Sequence, residues 1–252
     1  MSRKGRVERS MQEKEVLAML EQWADPHALE GMTRFGSTPA HALGISMPVL
    51  RKLARKIGKD HTLALALWAS GLHEARILAS MLADPQRVSE QQMEAWVHDF
   101  DTWDICDQVC GNLFDKTPYA YQKACEWCHC EEEYVRRAGF VMMAELAVHD
   151  KRASDEVFLP FFPLMKQYAT DERNFVKKAV NWALRQIGKR NPHLRLSAIH
   201  WAEEIKMLDT KSARWIANDA LKELQRQKDD APLSQREKGT SSWSMITETG
   251  GR

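Results

Sequence analysis

The chain is short of apolar runs, of β-type alternation and of net charge. In 252 residues no apolar stretch approaches the roughly 20 that a bilayer span needs. The opening MSRKGRVERSMQEKEV has no apolar core of a secretory signal. Both observations lead to the expectation of a soluble, cytoplasmic protein. Cysteine is scarce and odd in number, at five, which suits reduced thiols better than a disulfide framework. Charge nearly cancels, with 36 Lys and Arg against 35 Asp and Glu, so any cationic surface has to be local. Sustained period-two patterning is missing, and the nearest approach, EVFLPFFPLM, carries two prolines that oppose a strand.

What is present is helical spacing. Val16, Leu17, Leu20 and Trp23 form one stripe. Val49, Leu50, Leu53 and Ile57 form another, opened by Pro48 and closed by Gly58. SEQQMEAWVHDF begins with a possible capping box, Ser89 with Gln92. Further helices are expected near 103–115, 119–129, 132–148, 155–168, 173–189, 193–207 and 211–227. The expected class is all-α.

Three of these segments resemble one another: VRRAGFVMMAEL, VKKAVNWALRQI and ARWIANDALKEL. Aligning Ala138, Ala179 and Ala217 gives spacings of 41 and 38 residues. Periods of about 40 suit two-helix HEAT-type repeats, which stack into a superhelical solenoid with an extended concave face. A non-repeating bundle is the alternative. The expected organisation is a flexible segment over 1–12, a repeat domain over 13–227 and a disordered tail over 228–252, where the apolar pattern stops.

Two helices carry more than a core stripe. In DFDTWDICDQVCGNLF, Ile105, Val109 and Leu113 share one face, while Trp103 and Asp107 lie roughly opposite, next to Cys110 and Phe114. An ionised carboxylate there either pairs with a neighbouring helix or lines a cleft. In ERNFVKKAVNWALRQIGKRNP, Lys178, Trp182, Arg185 and Lys189 fall on one side, away from Val176, Ala179, Val180, Ala183 and Ile187. Residues 171–195 hold seven cations against two acids, an excess of +5 in a chain of net +1. Cations with an aromatic among them suit phosphates and sugars. A solvated basic face with Trp182 in the core is the plainer alternative. Arg137, with Arg136 beside it, aligns with Lys178 and is expected on the same side of the repeats.

Taken together, WDICD, VRRAG, FVKKAVNWALRQIGKRNP and the upstream RFGSTPAHALGISMPVLRKLAR resemble the HEAT-like-repeat alkylpurine DNA glycosylases, the DNA alkylation repair enzyme family. The resemblance extends over residues 13–225. It implies a cofactor-free hydrolase for cationic alkylpurines, acting on double-stranded DNA as a monomer, in the nucleoid. It places the catalytic carboxylate at Asp107 and the lesion-cradling tryptophans at Trp103 and Trp182. A backbone-contacting arginine falls at Arg137, and a further aromatic falls at Phe35, where some relatives have tyrosine. The cations expected at DNA are Arg136, Lys177, Lys178, Arg185 and Lys189. A non-catalytic binder of distorted or branched DNA is the runner-up, and a peptide-binding solenoid a third reading.

Other patterns point elsewhere. Cys106 with Cys110, and Cys125, Cys128, His129 and Cys130, have spacings that zinc uses, but they fall on helices, and no metal is expected. Trp23, Trp68, Trp96, Trp201 and Trp215 lie on apolar stripes and are expected in packing. The run RKLARKIGK reads as a solvated face, which the resemblance brings near DNA.

Overall fold

The computed structural model describes residues 11–34 and 41–229. Phe35 lies outside them, as does nearly all of the two expected terminal segments. Every regular element described is helical. In chain order these are α1 (Glu13–Gln22), α2 (Pro26–Arg34), α3 (Met47–Ile57), α4 (His61–Ala69), α5 (His73–Leu82), α6 (Glu90–His98) and α7 (Trp103–Asn112). Then follow α8 (Ala120–Trp127), α9 (Glu133–His149), α10 (Phe161–Tyr168), α11 (Asn174–Gly188), α12 (Pro192–Lys206) and α13 (Lys211–Asp229). Short 3-10 turns interrupt at Pro85–Arg87, Phe114–Lys116 and Asp155–Val157. No described helix is long and apolar enough to cross a membrane.

The helices stack as a superhelical solenoid. From α3 onward the second helix of each pair packs on the second helix of the next, so α3, α5, α7, α9, α11 and α13 make one continuous layer. The partner helices α4, α8, α10 and α12 back that layer. Seam contacts show that its helices run parallel. Between α5 and α7, His73 meets Asp104 and Ser80 meets Asn112. Between α11 and α13, Asn181 meets Asp219 and Arg185 meets Glu223.

Local sequence explains most boundaries. Ser46 precedes Pro48 at the start of α3, and Gly58 closes it at φ +81°, where a side chain would be strained. The Ser89 hydroxyl accepts from the Gln92 amide at 3.1 Å, so the capping serine is real. The expected helix over 155–168 is shorter, beginning at Phe161 after Pro160, because the chain first makes a 3-10 turn. Helices α2, α4 and α5 had no counterpart in the sequence reading. In α4 the exposed side consists of Thr62, Leu65 and Ala69, and in α5 eight of the ten residues are buried, so neither helix shows a marked polar stripe to set a period.

The repeat register is also corrected. Buried Val135, Ala138, Gly139, Met142, Met143 and Leu146 of α9 match Val176, Ala179, Val180, Ala183, Leu184 and Ile187 of α11, as the alanine alignment requires. On α13 the same pattern is Ala213, Ile216, Ala217, Ala220, Leu221 and Leu224. Ala217 therefore matches Val180, not Ala179. Two adjacent small or apolar residues are buried in each helix, so the sequence could not choose between them.

The N-terminal end is fastened by one carboxylate. Glu74, 1% exposed, accepts the backbone amides of Leu43, Gly44 and Ile45, with Gly44 N only 2.7 Å away. Gly44 sits at φ +77°, and a Cβ there would lie 2.3 Å from the Asp25 carbonyl oxygen. The loop before α3 thus hangs on α5. Glu74→Ala would leave three amides without their acceptor, and should cost about 3 kcal/mol in urea unfolding. A loss within experimental error would show that this loop is held by other contacts.

Candidate nucleic-acid interface

Asp107 is the fifth residue of α7, on the side away from the buried Ile105, Cys106 and Val109. Its side chain is 17% exposed. From α9, Arg137 closes a two-pronged fork on it, with Nε 2.9 Å from Oδ1 and Nη2 2.8 Å from Oδ2. The third Arg137 contact is Nη1 to the Phe175 carbonyl of α11, at 2.6 Å. This guanidinium, in a residue 5% exposed, therefore ties three neighbouring helices together. Burial pushes the Asp107 carboxyl above the ordinary carboxylate value, and the Arg137 guanidinium opposes that rise. The outcome is a fixed, half-sheltered carboxylate whose charge is matched from one side.

Arg137 was expected at a DNA phosphate. In this structure three of its five N–H groups serve Asp107 and the Phe175 carbonyl, which leaves two for any other acceptor. Trp103 opens α7 and is half-buried, one turn before Asp107 and on the same side of the helix. Trp182 is half-buried on α11, packed against the core at its edge. Helix α9 lies between the helices that carry the two tryptophans.

The basic stripe is less bare than its sequence suggests. Arg185 and Lys189 share the side of α11 with Lys178, but α13 supplies acids to them. Arg185 Nη1 is 2.7 Å from Glu223 and 3.4 Å from Asp219, and Lys189 Nζ is 3.0 Å from Glu223. Arg173 pairs with Asp171, and Arg190 donates to the Ala147 and Ala153 carbonyls. Arg136 also pairs with Asp171 and stacks 4.7 Å over the Tyr168 ring, at the junction with α10. Lys177 lies 5.4 Å over the Trp215 ring. Lys178 is exposed and has no ion pair among the described residues. At the N-terminal end of the layer, α3 exposes Arg51, Lys52, Arg55 and Lys56, likewise without ion pairs among the described residues. The solvated run RKLARKIGK is thus the densest set of uncompensated cations on this layer.

Two features escaped the sequence reading. Trp23 and Trp215 are 39% and 42% exposed and do not pack in the core, whereas Trp68 and Trp96 stack there at 3.9 Å. An indole at the rim of an apolar stripe reads like one inside it. The second feature is a titratable cluster that runs from the buried Asp115 through the partly buried Glu145 to the exposed His149. Asp115, Glu145 and His149 hold ligand atoms within 4.8 Å of one another, a set able to bind a cation. The Lys116 ammonium already stands 2.9 Å from Asp115. All five cysteines are free thiols, with Cys106, Cys110 and Cys128 buried.

Known proteins share this fold. The profile of the family described as DNA alkylation repair enzyme matches residues 16–224. No curated protein matches the chain in sequence. One similar solved structure, at 21% identity and a TM-score of 0.73, covers 86% of this chain and 95% of its own. It is described as "a new family of proteins related to the HEAT-like repeat DNA glycosylases with affinity for branched DNA structures". At that identity the likeness establishes the fold.

The Glu145 cluster makes a pH prediction. Burial raises the Glu145 carboxyl to about 7, with His149 opposing and Asp115 adding to the rise. A carboxyl raised on folding binds its proton more tightly in the native state, so its contribution to stability falls as pH climbs from the ordinary value of about 4.5 through 7. Replacing Glu145 with Gln should lessen the drop in melting temperature between pH 5 and 8. Parallel curves for the two proteins would refute the raised carboxyl.

Proposed function

The chain belongs to the DNA alkylation repair enzyme family, and on that premise we propose that it is a DNA glycosylase, hydrolysing the N-glycosidic bond of cationic N3- or N7-alkylated purines in duplex DNA. The observation that carries this reading is Asp107. It is fixed by a bidentate arginine on the open side of the layer, one turn after Trp103, with Lys178 and Trp182 two helices away.

The chemistry suits these groups. Alkylation at N3 or N7 leaves the purine positively charged and weakens its bond to C1′. When that bond breaks, its electrons leave with the base, which departs neutral, and positive charge develops on the sugar. A carboxylate held in place stabilises that charge without having to reorganise. Water then adds at C1′ and gives up a proton, and Asp107 is the group that accepts it. Indole faces favour a cation by about 0.5–2 kcal/mol each, the role assigned to Trp103 and Trp182. Arg137 orients Asp107 and opposes the rise that burial imposes on its carboxyl. The charge-rich α3 and Lys178 contribute sequence-independent affinity.

The fork changes what a mutation at Asp107 does. Asp107→Asn leaves the Arg137 guanidinium buried without its anion, so stability falls together with activity. Excision therefore has to be read per folded molecule. Single-turnover release of 7-methylguanine should drop by about 100-fold or more, by analogy with the loss of other preorganised electrostatic groups, while alkylated duplex is still bound. Full release by the folded fraction would end the catalytic assignment. A second reading, a non-catalytic binder of branched DNA, draws on the description of the similar solved structure. Binding without base release by the wild-type protein would favour it.

Charge compensation on α11 gives a separate prediction. Glu223→Gln removes the acid shared by Arg185 and Lys189, and should tighten DNA binding and steepen its salt dependence. Lys178→Ala should weaken binding and lower the salt slope by about one. Anisotropy titrations at several salt concentrations check both, and an unchanged slope in the two variants would remove α11 from the interface.

A further inference from the structure

Asp107, Arg137, Lys178 and Trp215 are each the fifth residue of their helices, α7, α9, α11 and α13. These helices are parallel neighbours in one layer. The burial register places Trp215 where α11 has Lys178 and α9 has Arg137. The carboxylate, the guanidinium, the ammonium and the indole thus form a row across four successive helices.

From this row we propose that Trp215, with Lys177, is an additional DNA contact, an aromatic platform for the strand that continues beyond the lesion. The proposal rests on the DNA-binding reading above and extends the interface one helix past Trp182.

The surroundings favour a polyanion. Trp215 is 42% exposed, and the Lys177 ammonium stands 5.4 Å over its ring. Lys178, Lys211 and Lys222 are exposed on α11 and α13 and have no ion pair among the described residues. The acids nearby are already engaged. Asp219 and Glu223 meet Asn181, Arg185 and Lys189, Glu172 accepts the Ser212 amide, and Asp209 holds Arg214. An indole set among free ammonium groups suits a sugar–phosphate chain. The ring face packs on a deoxyribose or an unstacked base while the lysines reach phosphates.

Fluorescence anisotropy with a methylated duplex tests this, comparing wild type with Trp215→Ala, Trp215→Phe and Lys177→Ala. On a duplex extending well to both sides of the lesion, Trp215→Ala should lose about 10-fold in affinity with an unchanged salt slope, since the contact is not ionic. Trp215→Phe should stay within about 3-fold of wild type. Lys177→Ala should lower the slope by about one. Base release at saturating protein should match wild type in the two Trp215 variants, because the platform is remote from Asp107. On a duplex cut short on the side that Trp215 serves, wild type and Trp215→Ala should bind alike.

Wild-type affinity in a Trp215→Ala protein of normal melting temperature would overturn the proposal. If that variant melts early, Trp215→Gln, which keeps a long side chain on this exposed face, decides in its place. A wild-type protein that binds DNA without releasing base fails the glycosylase reading alone, and the Trp215 comparison still stands. One that shows no salt-dependent DNA affinity, or prefers a peptide, overturns both.

Discussion

The contact on which the site depends is the fork between Arg137 and Asp107. A carboxylate sheltered from water is unfavourable unless a cation and hydrogen bonds accompany it, and one guanidinium supplies both. Because the same guanidinium also reaches the Phe175 carbonyl, it fixes α7, α9 and α11 relative to one another. Helix stacking and site geometry therefore share one side chain. A group that is stabilised only as part of a pair cannot be removed without disturbing its partner, so structural and chemical roles coincide at Asp107 and are not alternatives.

Similar pairing recurs along the layer. Three of its seams join consecutive helices through polar groups: His73 with Asp104, Arg137 with Asp107, and Arg185 with Glu223. Apolar residues behind them supply the burial. The consequence for nucleic acid is a graded surface. Cations are matched by acids between α11 and α13 but not on α3, where Arg51, Lys52, Arg55 and Lys56 face solvent. Gly111 shows how tight the seams are, since a Cβ there would lie 2.7 Å from the Glu145 carboxylate.

The N-terminal helices are joined to this layer by a different device. Glu74 gathers three consecutive backbone amides, and Gly44 takes the positive φ that lets them converge. The loop so held leads directly into the basic helix α3. Among the described residues, this buried acid is satisfied by the backbone, and it sets where the most cationic helix of the layer begins.

Much of this was legible in the chain. Amphipathic periods at 173–189 and 132–148, and a start signal at Pro48, identified helices because they record which side meets water. Asp107 stood out as an acid on a helix also bearing core residues, and Trp182 as an indole among cations. Helices α4 and α5 did not, because α4 shows Leu65 and Ala69 to solvent and α5 buries most of its residues, and either erases the contrast from which a period is read. The alanine register slipped by one at α13, since either of two adjacent residues fits a core that accepts both. Nor could the chain tell which cations are compensated. Glu223 lies 38 residues after Arg185, and only stacking brings them within 2.7 Å. Local patterns determine which residues form helices and which side each buries, because those depend on neighbours a turn away. The partner of each charge and the exposure of Trp215 depend on which helices become neighbours, and the tertiary structure alone decided them.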